Sequence, residues 1–338
     1  MFTYEILKLR CNPFPRVPVP SYPPKVTYDA QGIVGRILQE ALLAYETGAT
    51  NAVVIVGPYG SGKTHYMLAA LAAIRTKLSN SLPLYVPSPG SSILTVHRAL
   101  IEAFGPIKLA SLAGDNSHGL DRILKLLNNE EYSSIAYAWL SGDAIEGKYR
   151  YKLGLGTKLD AFSSVILLSE IITRFYEKEK GLCVLFLDEI ESILGLSVVK
   201  RDLYFASLRK LFDLAPRGLL VVLSATPAGW DAILSDAYAL ARRVSRNVIF
   251  LKPLTFDQAK ELLRLYLSSA GGEQDVFTEE AIEELCKVSN GIIGEFIKLA
   301  GLALDTAASR GLNRVNREII VEALSVYSGL ENILGAKP

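Results

Sequence analysis

Four short segments, Asn51 to Val56, Leu182 to Leu187, Leu219 to Leu223 and Asn247 to Leu251, are almost wholly apolar and show no polar alternation. A strand covered by helices on both faces of a parallel sheet carries such a run, because neither face meets water. Leu82 to Val86 is a weaker fifth of the same kind. Between these runs the apolar spacing is helical. Val34, Leu38, Ala41, Leu42 and Tyr45 fill one helix face that Gly48 can end, and an Ala-rich helix is expected from Thr64 to Lys77. Strands alternating with helices predict an α/β unit over 34–253, built on a five-stranded parallel sheet. After Pro253 the strands stop. Thr255 with Gln258, and Thr278 before Glu279 and Glu280, read as helix starts; a third helix is expected from Ile292 to Ala308 and a fourth from Asn316 to Val326. These form a helical domain over 254–330.

Two segments stand apart from this alternation. Six of the 15 prolines fall between Pro13 and Pro24, so residues 1–33 are expected to be an extended leader. From about 87 to 180 the chain carries helical runs around Ile93 to Phe104, Leu120 to Leu127 and Ala161 to Phe175, an insertion between two strands of the α/β unit.

Composition narrows the class. The 338 residues are 50% hydrophobic and 21% charged, with a mean hydropathy of +0.25, which is ample for about two folded units and excludes disorder. No apolar run approaches the roughly 20 residues of a membrane helix. Met1 to Arg10 mixes Glu5, Lys8 and Arg10 into apolar residues, unlike a signal peptide, so a cytoplasmic protein with no membrane partner is expected. Cys11, Cys183 and Cys286 have no metal-ligand spacing and read as reduced structural thiols, and His65, His97 and His118 are scattered. With 36 Lys and Arg against 35 Asp and Glu, the net charge is +1. No global field draws the chain to nucleic acid; only a local patch can.

The chemistry lies at the ends of the apolar runs. Gly57-Pro58-Tyr59-Gly60-Ser61-Gly62-Lys63-Thr64 follows one run and opens a helix, and it fits the pattern of a glycine, four residues, then Gly-Lys-Ser/Thr, the Walker A phosphate loop. Glycines let successive N–H groups turn inward on an anion, and the helix start adds a positive dipole end. Lys63 is then placed to neutralise β- and γ-phosphate charge, and the Thr64 hydroxyl to ligate Mg²⁺. The bland alternative is a Gly-rich structural turn.

Asp188 and Glu189 close the run Leu182 to Leu187, where the Walker B carboxylates of a nucleotide hydrolase belong. Asp188 is the candidate for holding Mg²⁺ through water. Glu189 is the candidate base that polarises the attacking water. Alternatively both acids merely cap the helix expected at Ile190 to Leu194, and Glu191 reads as a cap or salt-bridge residue. Leu219 to Leu223 runs into Ser224-Ala225-Thr226-Pro227. A hydroxyl at that tip can reach the γ-phosphate or the lytic water, Thr226 being preferred and Ser224 second, with plain turn formation before Pro227 as the alternative.

Phosphate loop, Asp-Glu strand end, polar strand tip and four-helix tail, in that order, resemble the AAA+ ATPases. The resemblance runs over nearly the whole chain, from Gly35-Arg36, similar to the box that family carries before its first strand, to the last helix. Within AAA+ it is closest in pattern to the group holding the archaeal and eukaryotic origin-recognition proteins and the transposition ATPases of the TniB and ExeA type. A narrower similarity, to the ATP-binding proteins of BREX phage-defence systems, rests on Ala138-Trp139-Leu140-Ser141-Gly142, Leu153-Gly154-Leu155, the strand Gly181 to Glu189, and Ala225-Thr226-Pro227-Ala228-Gly229-Trp230. The resemblance implies a P-loop NTPase of AAA+ architecture with a helical insertion and a C-terminal helical lid, using ATP and Mg²⁺. It implies a homo-oligomer, or assembly with an AAA+ partner, in which an arginine reaches the neighbour's γ-phosphate. Arg242 and Arg243 lie where such a finger would sit, with Arg246 in reserve; a solvated basic helix end is the alternative.

The chain departs from the origin-type pattern twice. Where a lid arginine belongs, in Gly-x-x-Arg, this sequence has Gly291-Ile292-Ile293-Gly294 followed by Glu295, leaving Lys298 one turn on as the nearest cation. A winged helix after the lid is not expected before Pro338, which disfavours sequence-specific origin binding. In the insertion, Gly147-Lys148-Tyr149-Arg150-Tyr151-Lys152, then Lys158, alternates cations with aromatics; it is expected to be a hairpin-like stretch suited to stacking on DNA bases, or else a solvated edge or partner contact. The leading reading is an ATP hydrolase driving assembly or remodelling on DNA or on a DNA-acting partner. The alternative is a slow-hydrolysing nucleotide-gated switch or scaffold of the signalling-ATPase kind. A small-molecule P-loop kinase fits less well, because the Asp-Glu strand end and helical tail serve hydrolysis and assembly.

Overall fold

The computed structural model describes residues 4–16, 22, 24, 26–116, 119–156, 158–272 and 276–334, with 326–334 as helical backbone only. His118 and leader residues 1–3, 17–21, 23 and 25 lie outside the described residues. The chain divides into two compact units, one of residues 32–57 and 66–250, the other of residues 1–31, 58–65 and 251–338.

The first unit opens with α1 (Ile33–Thr47), β1 (Asn51–Val56), α2 (Lys63–Lys77, whose first residues belong to the second unit), and β2 (Ser81–Val86). The insertion follows as α3 (Ile93–Ser111), α4 (Gly119–Leu126), α5 (Ser133–Leu140), α6 (Gly147–Leu153) and α7 (Ala161–Glu179). Then come β3 (Leu182–Leu187), a 3₁₀ turn (Ile190–Gly195), α8 (Val198–Leu214), β4 (Leu219–Ala225), α9 (Pro227–Asp236), α10 (Tyr238–Val244) and β5 (Val248–Phe250). All five strands are parallel, in the order β2-β3-β4-β1-β5. Every residue of β3 and β4 is buried, as their unalternating apolar runs require of central strands with two covered faces. β4 runs past the expected Leu223 and keeps Ser224 in the ladder opposite Ile55, while β5, at the edge, is cut to three residues.

Two expectations are corrected. The basic-aromatic stretch 147–152 is not hairpin-like but the helix α6, ended by Gly154 at φ 61°; a period-two pattern over so few residues does not outweigh a helical start and a left-handed stop. The leader is not simply extended. Tyr4–Leu7 forms a 3₁₀ turn, and Leu7, Leu9 and Phe14 are buried in the core of the helical unit, where scattered apolar residues find cover that Pro13 between them does not prevent.

The second unit packs α11 (Phe256–Ser269), α12 (Glu279–Val288), α13 (Ile293–Ser309) and α14 (Arg317–Leu334) around that core. Thr255 and Gln258 make the reciprocal capping box that opens α11, and Thr278 caps α12. Arg10 donates to the carbonyl oxygens of Ser269 and Ala270, satisfying the carboxyl end of α11. Asn12 bonds Gly301 O and Asp305 on α13. Among the described residues no helix is long and apolar enough to cross a membrane.

Candidate functional site

The carboxyl ends of β3 and β4 lie side by side, because Leu187 pairs with Leu223 in the parallel ladder. The residues just beyond them meet as a consequence. Asp188 is 2% exposed. Its Oδ1 accepts from the Ser224 hydroxyl and, at 3.1 Å, from the Glu189 N–H; its Oδ2 accepts from the Tyr85 hydroxyl at 2.7 Å. The Glu189 N–H also reaches Ser224 Oγ at 3.0 Å. Glu189 itself is exposed and sits at φ 53°, ψ 48°. A side-chain-bearing residue in that left-handed region costs free energy that surrounding bonds must offset, and such residues gather at functional sites. One acid is therefore buried and clamped while its neighbour is turned outward.

Thr226 and Glu191 take other places at the same tip. Thr226 is the N-cap of α9, its hydroxyl accepting from Gly229 N at 3.1 Å, with Pro227 at the first helical position. Glu191 Oε1 accepts from the Thr226 N–H at 2.9 Å. Of the two hydroxyls singled out in the sequence, Ser224 is the one that touches Asp188. Tyr85 was missed. The only sequence signal for it is its place beside the last residue of a weak apolar run.

In the second unit, the loop expected to hold phosphate turns on Gly60 at φ 75° and Gly62 at φ 91°. Pro58 O accepts from Ser61 N at 3.2 Å across the first turn, with glycine at the third position as a positive φ demands. The same oxygen accepts from Ser61 Oγ at 2.7 Å and Lys63 Nζ at 3.1 Å. Lys63 is buried, with its ammonium 5.4 Å from the centre of the Tyr59 ring, which is 72% exposed. Thr64, half-buried, stands in the first turn of α2. Two left-handed glycines ahead of a helix start form a loop that fits a phosphate group.

The start of α13 closes on this loop. Gly294 N donates to Gly60 O at 2.8 Å, and a side chain at Gly294 would bring its Cβ within 2.9 Å of that oxygen. In the sequence Gly294 is followed by Glu295, not by an arginine. Lys298, one turn further along α13, lies 3.9 Å from Glu295. Desolvation lowers the pKa of His65, next to the loop, against the pull of Asp29.

The candidate fingers differ in circumstance. Arg243 is held 2.7 Å from Asp213, whereas Arg242, also exposed on α10, has no ion pair among the described residues. Arg36, from the box before β1, donates to Asn247 at 3.1 Å. On α6, Lys148 and Lys152 point outward with Tyr151, which is 94% exposed, while Tyr149 and Arg150 are half-buried. Lys148 pairs with Glu146 and Lys152 with Glu131. Burial pushes the Cys183 thiol well up, as suits an inert core cysteine.

No family model matches the chain. An HTH-type transcriptional regulator of Methanocaldococcus jannaschii, itself described as uncharacterized, is 23% identical over 342 residues, covering 95% of this chain and 74% of its own. The ORC2 protein of Aeropyrum pernix, solved in ADPNP–ADP complexes, matches with a TM-score of 0.56 at 13% identity, over 89% of this chain and 68% of that one. The fold is the AAA+ fold of the origin-recognition proteins. The ORC1 protein of the same organism, solved in complex with DNA, matches with a TM-score of 0.53 at 15% identity over 91% of this chain and 68% of its own. A Walker-type ATPase of Pyrococcus abyssi gives 0.53 at 16% identity, over 91% and 74%. The five-stranded parallel sheet expected from the apolar runs is the sheet of this fold.

Proposed function

We propose that this chain is an ATPase of the AAA+ type that binds ATP with Mg²⁺ and hydrolyses it to drive assembly or remodelling on DNA or on a DNA-acting partner. The observation that carries the reading is the pair at the β3 tip: a buried Asp188 clamped on both oxygens, followed by an exposed Glu189 held in a left-handed turn. The phosphate loop leaves β1, whose end pairs with the end of β4 in the same sheet. In this reading the backbone of Gly57, Pro58, Tyr59, Gly60, Ser61 and Gly62 cradles the phosphates, and Lys63 neutralises them. Mg²⁺, when bound, neutralises charge on the β- and γ-phosphate oxygens; Thr64 and Asp188 are the residues that would hold it. Glu189 accepts the proton of the attacking water. Ser224 orients Asp188, the Thr226 hydroxyl, which caps α9, is the candidate contact to the γ-phosphate or the lytic water, and Arg242 or Arg243 acts on a neighbouring subunit's γ-phosphate. The regulator from Methanocaldococcus and the DNA complex of ORC1 support a partner of the DNA-associated kind.

A second reading, a slow-hydrolysing switch or scaffold, is favoured by the lid, which meets the loop through the backbone of Gly294 where an origin-type lid would bring an arginine. Calorimetry and steady-state turnover decide between them. Lys63→Ala is expected to lose ATP binding, and retained binding would sink both readings. Glu189→Gln is expected to keep ATP binding and lose turnover by about 10² to 10⁴. Wild-type turnover too slow to follow, with tight ATP binding, would select the switch.

A further inference from the structure

Glu191 is packed against the start of α9 in a way a simple cap does not need. Its Oε1 accepts the Thr226 N–H, while its Oε2 is buried and has no hydrogen-bond partner among the described residues. The approach depends on Gly229. A Cβ there would stand 2.5 Å from Glu191 Cβ, closer than real carbon atoms come, and a tight 3.0 Å from its Cγ. Glu191 thus lies flat on the first turn of α9, with its charge at the positive end of that helix. It belongs to the 3₁₀ turn that begins just after Glu189.

Two ties therefore join the β3 and β4 tips. Ser224 Oγ bonds Asp188 and the Glu189 N–H, and Glu191 Oε1 bonds the Thr226 N–H. Together they bracket Glu189 and oppose relaxation of its left-handed backbone. We propose that Glu191 is a positioning residue: by fixing the Thr226 end of β4 to the 190–195 turn, it sets where the Glu189 carboxylate stands. This rests on the hydrolytic reading above. Glu191 does not touch the reacting atoms in it, so its neutral isostere should serve nearly as well. A glutamine keeps the oxygen that Thr226 needs; an alanine removes it.

The test compares wild type with Glu191→Gln, Glu191→Ala and Gly229→Ala, reading ATP affinity by calorimetry, turnover, and amide hydrogen exchange. Glu191→Ala is expected to lower kcat on the order of 10- to 100-fold, the cost of displacing a catalytic group by about 1 Å, with the ATP dissociation constant within about twofold. Gly229→Ala, which forces Glu191 off α9 while leaving its carboxylate in the chain, should fall with it, and Glu191→Gln should stay within about threefold of wild type. Exchange should speed up in Glu191→Ala across 189–192 and 224–229 and stay unchanged in β1. Turnover of Glu191→Ala equal to wild type overturns the proposal, and so does a glutamine variant as slow as the alanine one, which would make the acid itself the agent. If the wild-type protein does not hydrolyse ATP, the hydrolytic reading fails, and the exchange data alone judge the tie. Unaltered exchange in Glu191→Ala would then overturn it.

Discussion

The N–H of Gly294, in the first turn of α13, donates to the carbonyl oxygen of Gly60, in the loop after β1, at 2.8 Å, and neither residue has a side chain to keep the backbones apart. This contact has a cost if either glycine changes. In Gly294→Ala the new methyl would meet backbone rather than a flexible side chain, with Gly60 O at 2.9 Å and Gly60 Cα at 3.2 Å. The loop or the helix must shift, and the hydrogen bond lengthens. Losing a bond of this kind is worth about 1 kcal/mol, so ATP affinity should weaken about fivefold, even though alanine is the better helix former. Calorimetric titration of the variant measures this, and an unchanged dissociation constant would show that the loop's affinity does not depend on the lid.

Arg242 and Arg243 should behave differently. Arg243 is engaged by Asp213, and an exposed pair of that kind contributes at most about 1 kcal/mol to stability. Arg242→Ala is therefore expected to carry the loss of turnover, roughly 10³ to 10⁵ if it acts as a finger, with ATP binding intact. Mixing Arg242→Ala with Lys63→Ala should restore part of the activity, since each supplies what the other lacks at a shared interface. The reverse ranking of the two arginine variants would move the finger to Arg243, and failure of every mixture would remove the trans role.

The helical form of α6 redraws the nucleic-acid test. At about 100° per residue, Lys148, Tyr151 and Lys152 share one face, and Tyr149 and Arg150 lie off it. Tyr151→Ala should weaken single-strand binding by about 1 to 3 kcal/mol with the salt slope kept. Replacing Lys148 and Lys152 by alanine should flatten that slope, by less than two free lysines would, because Glu146 and Glu131 already offset them. Tyr149→Ala should do neither. Absence of DNA binding at low salt, with and without ATP, would assign this face to a protein partner.

His97 predicts a pH dependence of stability. It is fully buried in the insertion, with Nε2 2.6 Å from Leu140 O and Nδ1 3.2 Å from Ser164 O, so it joins α3 to α5 and α7. Desolvation holds its pKa below the ordinary 6.5, against the two carbonyls and with Arg98. The unfolded chain therefore binds a proton before the folded one as pH falls. Stability should be full above about pH 6.5 and decline below it, a window well above the range of Asp and Glu. Melting temperatures between pH 8 and pH 5.5 measure this, and His97→Gln should reduce the drop. A drop of unchanged size in that variant would assign it to His65, whose pKa is lowered in the same direction.

Most of the sheet, and the left-handed glycines of the loop after β1, were legible along the chain, and for a local reason. A strand buried on both faces must be apolar throughout, and a loop that turns its N–H groups inward must carry glycine at left-handed positions, so Leu182–Leu187 and Gly57–Thr64 announce themselves by residue type alone. The helix starts at Thr255 and Thr278 are equally local, because a cap is a bond between a side chain and an amide three residues on. What tertiary structure decided is which residues meet across strands. Ser224 rather than Thr226 stands against Asp188 because the β3–β4 register places it there, Tyr85 joins them from a third strand, and Glu191 reaches Thr226 because a glycine at 229 lets it. Residues 4–16 likewise show scattered apolar side chains among charged residues and prolines, and nothing in their own pattern names the helical core that covers Leu7, Leu9 and Phe14. Backbone periodicity is written in neighbouring residues; side-chain partnership depends on register and on the room left by small residues far away in sequence.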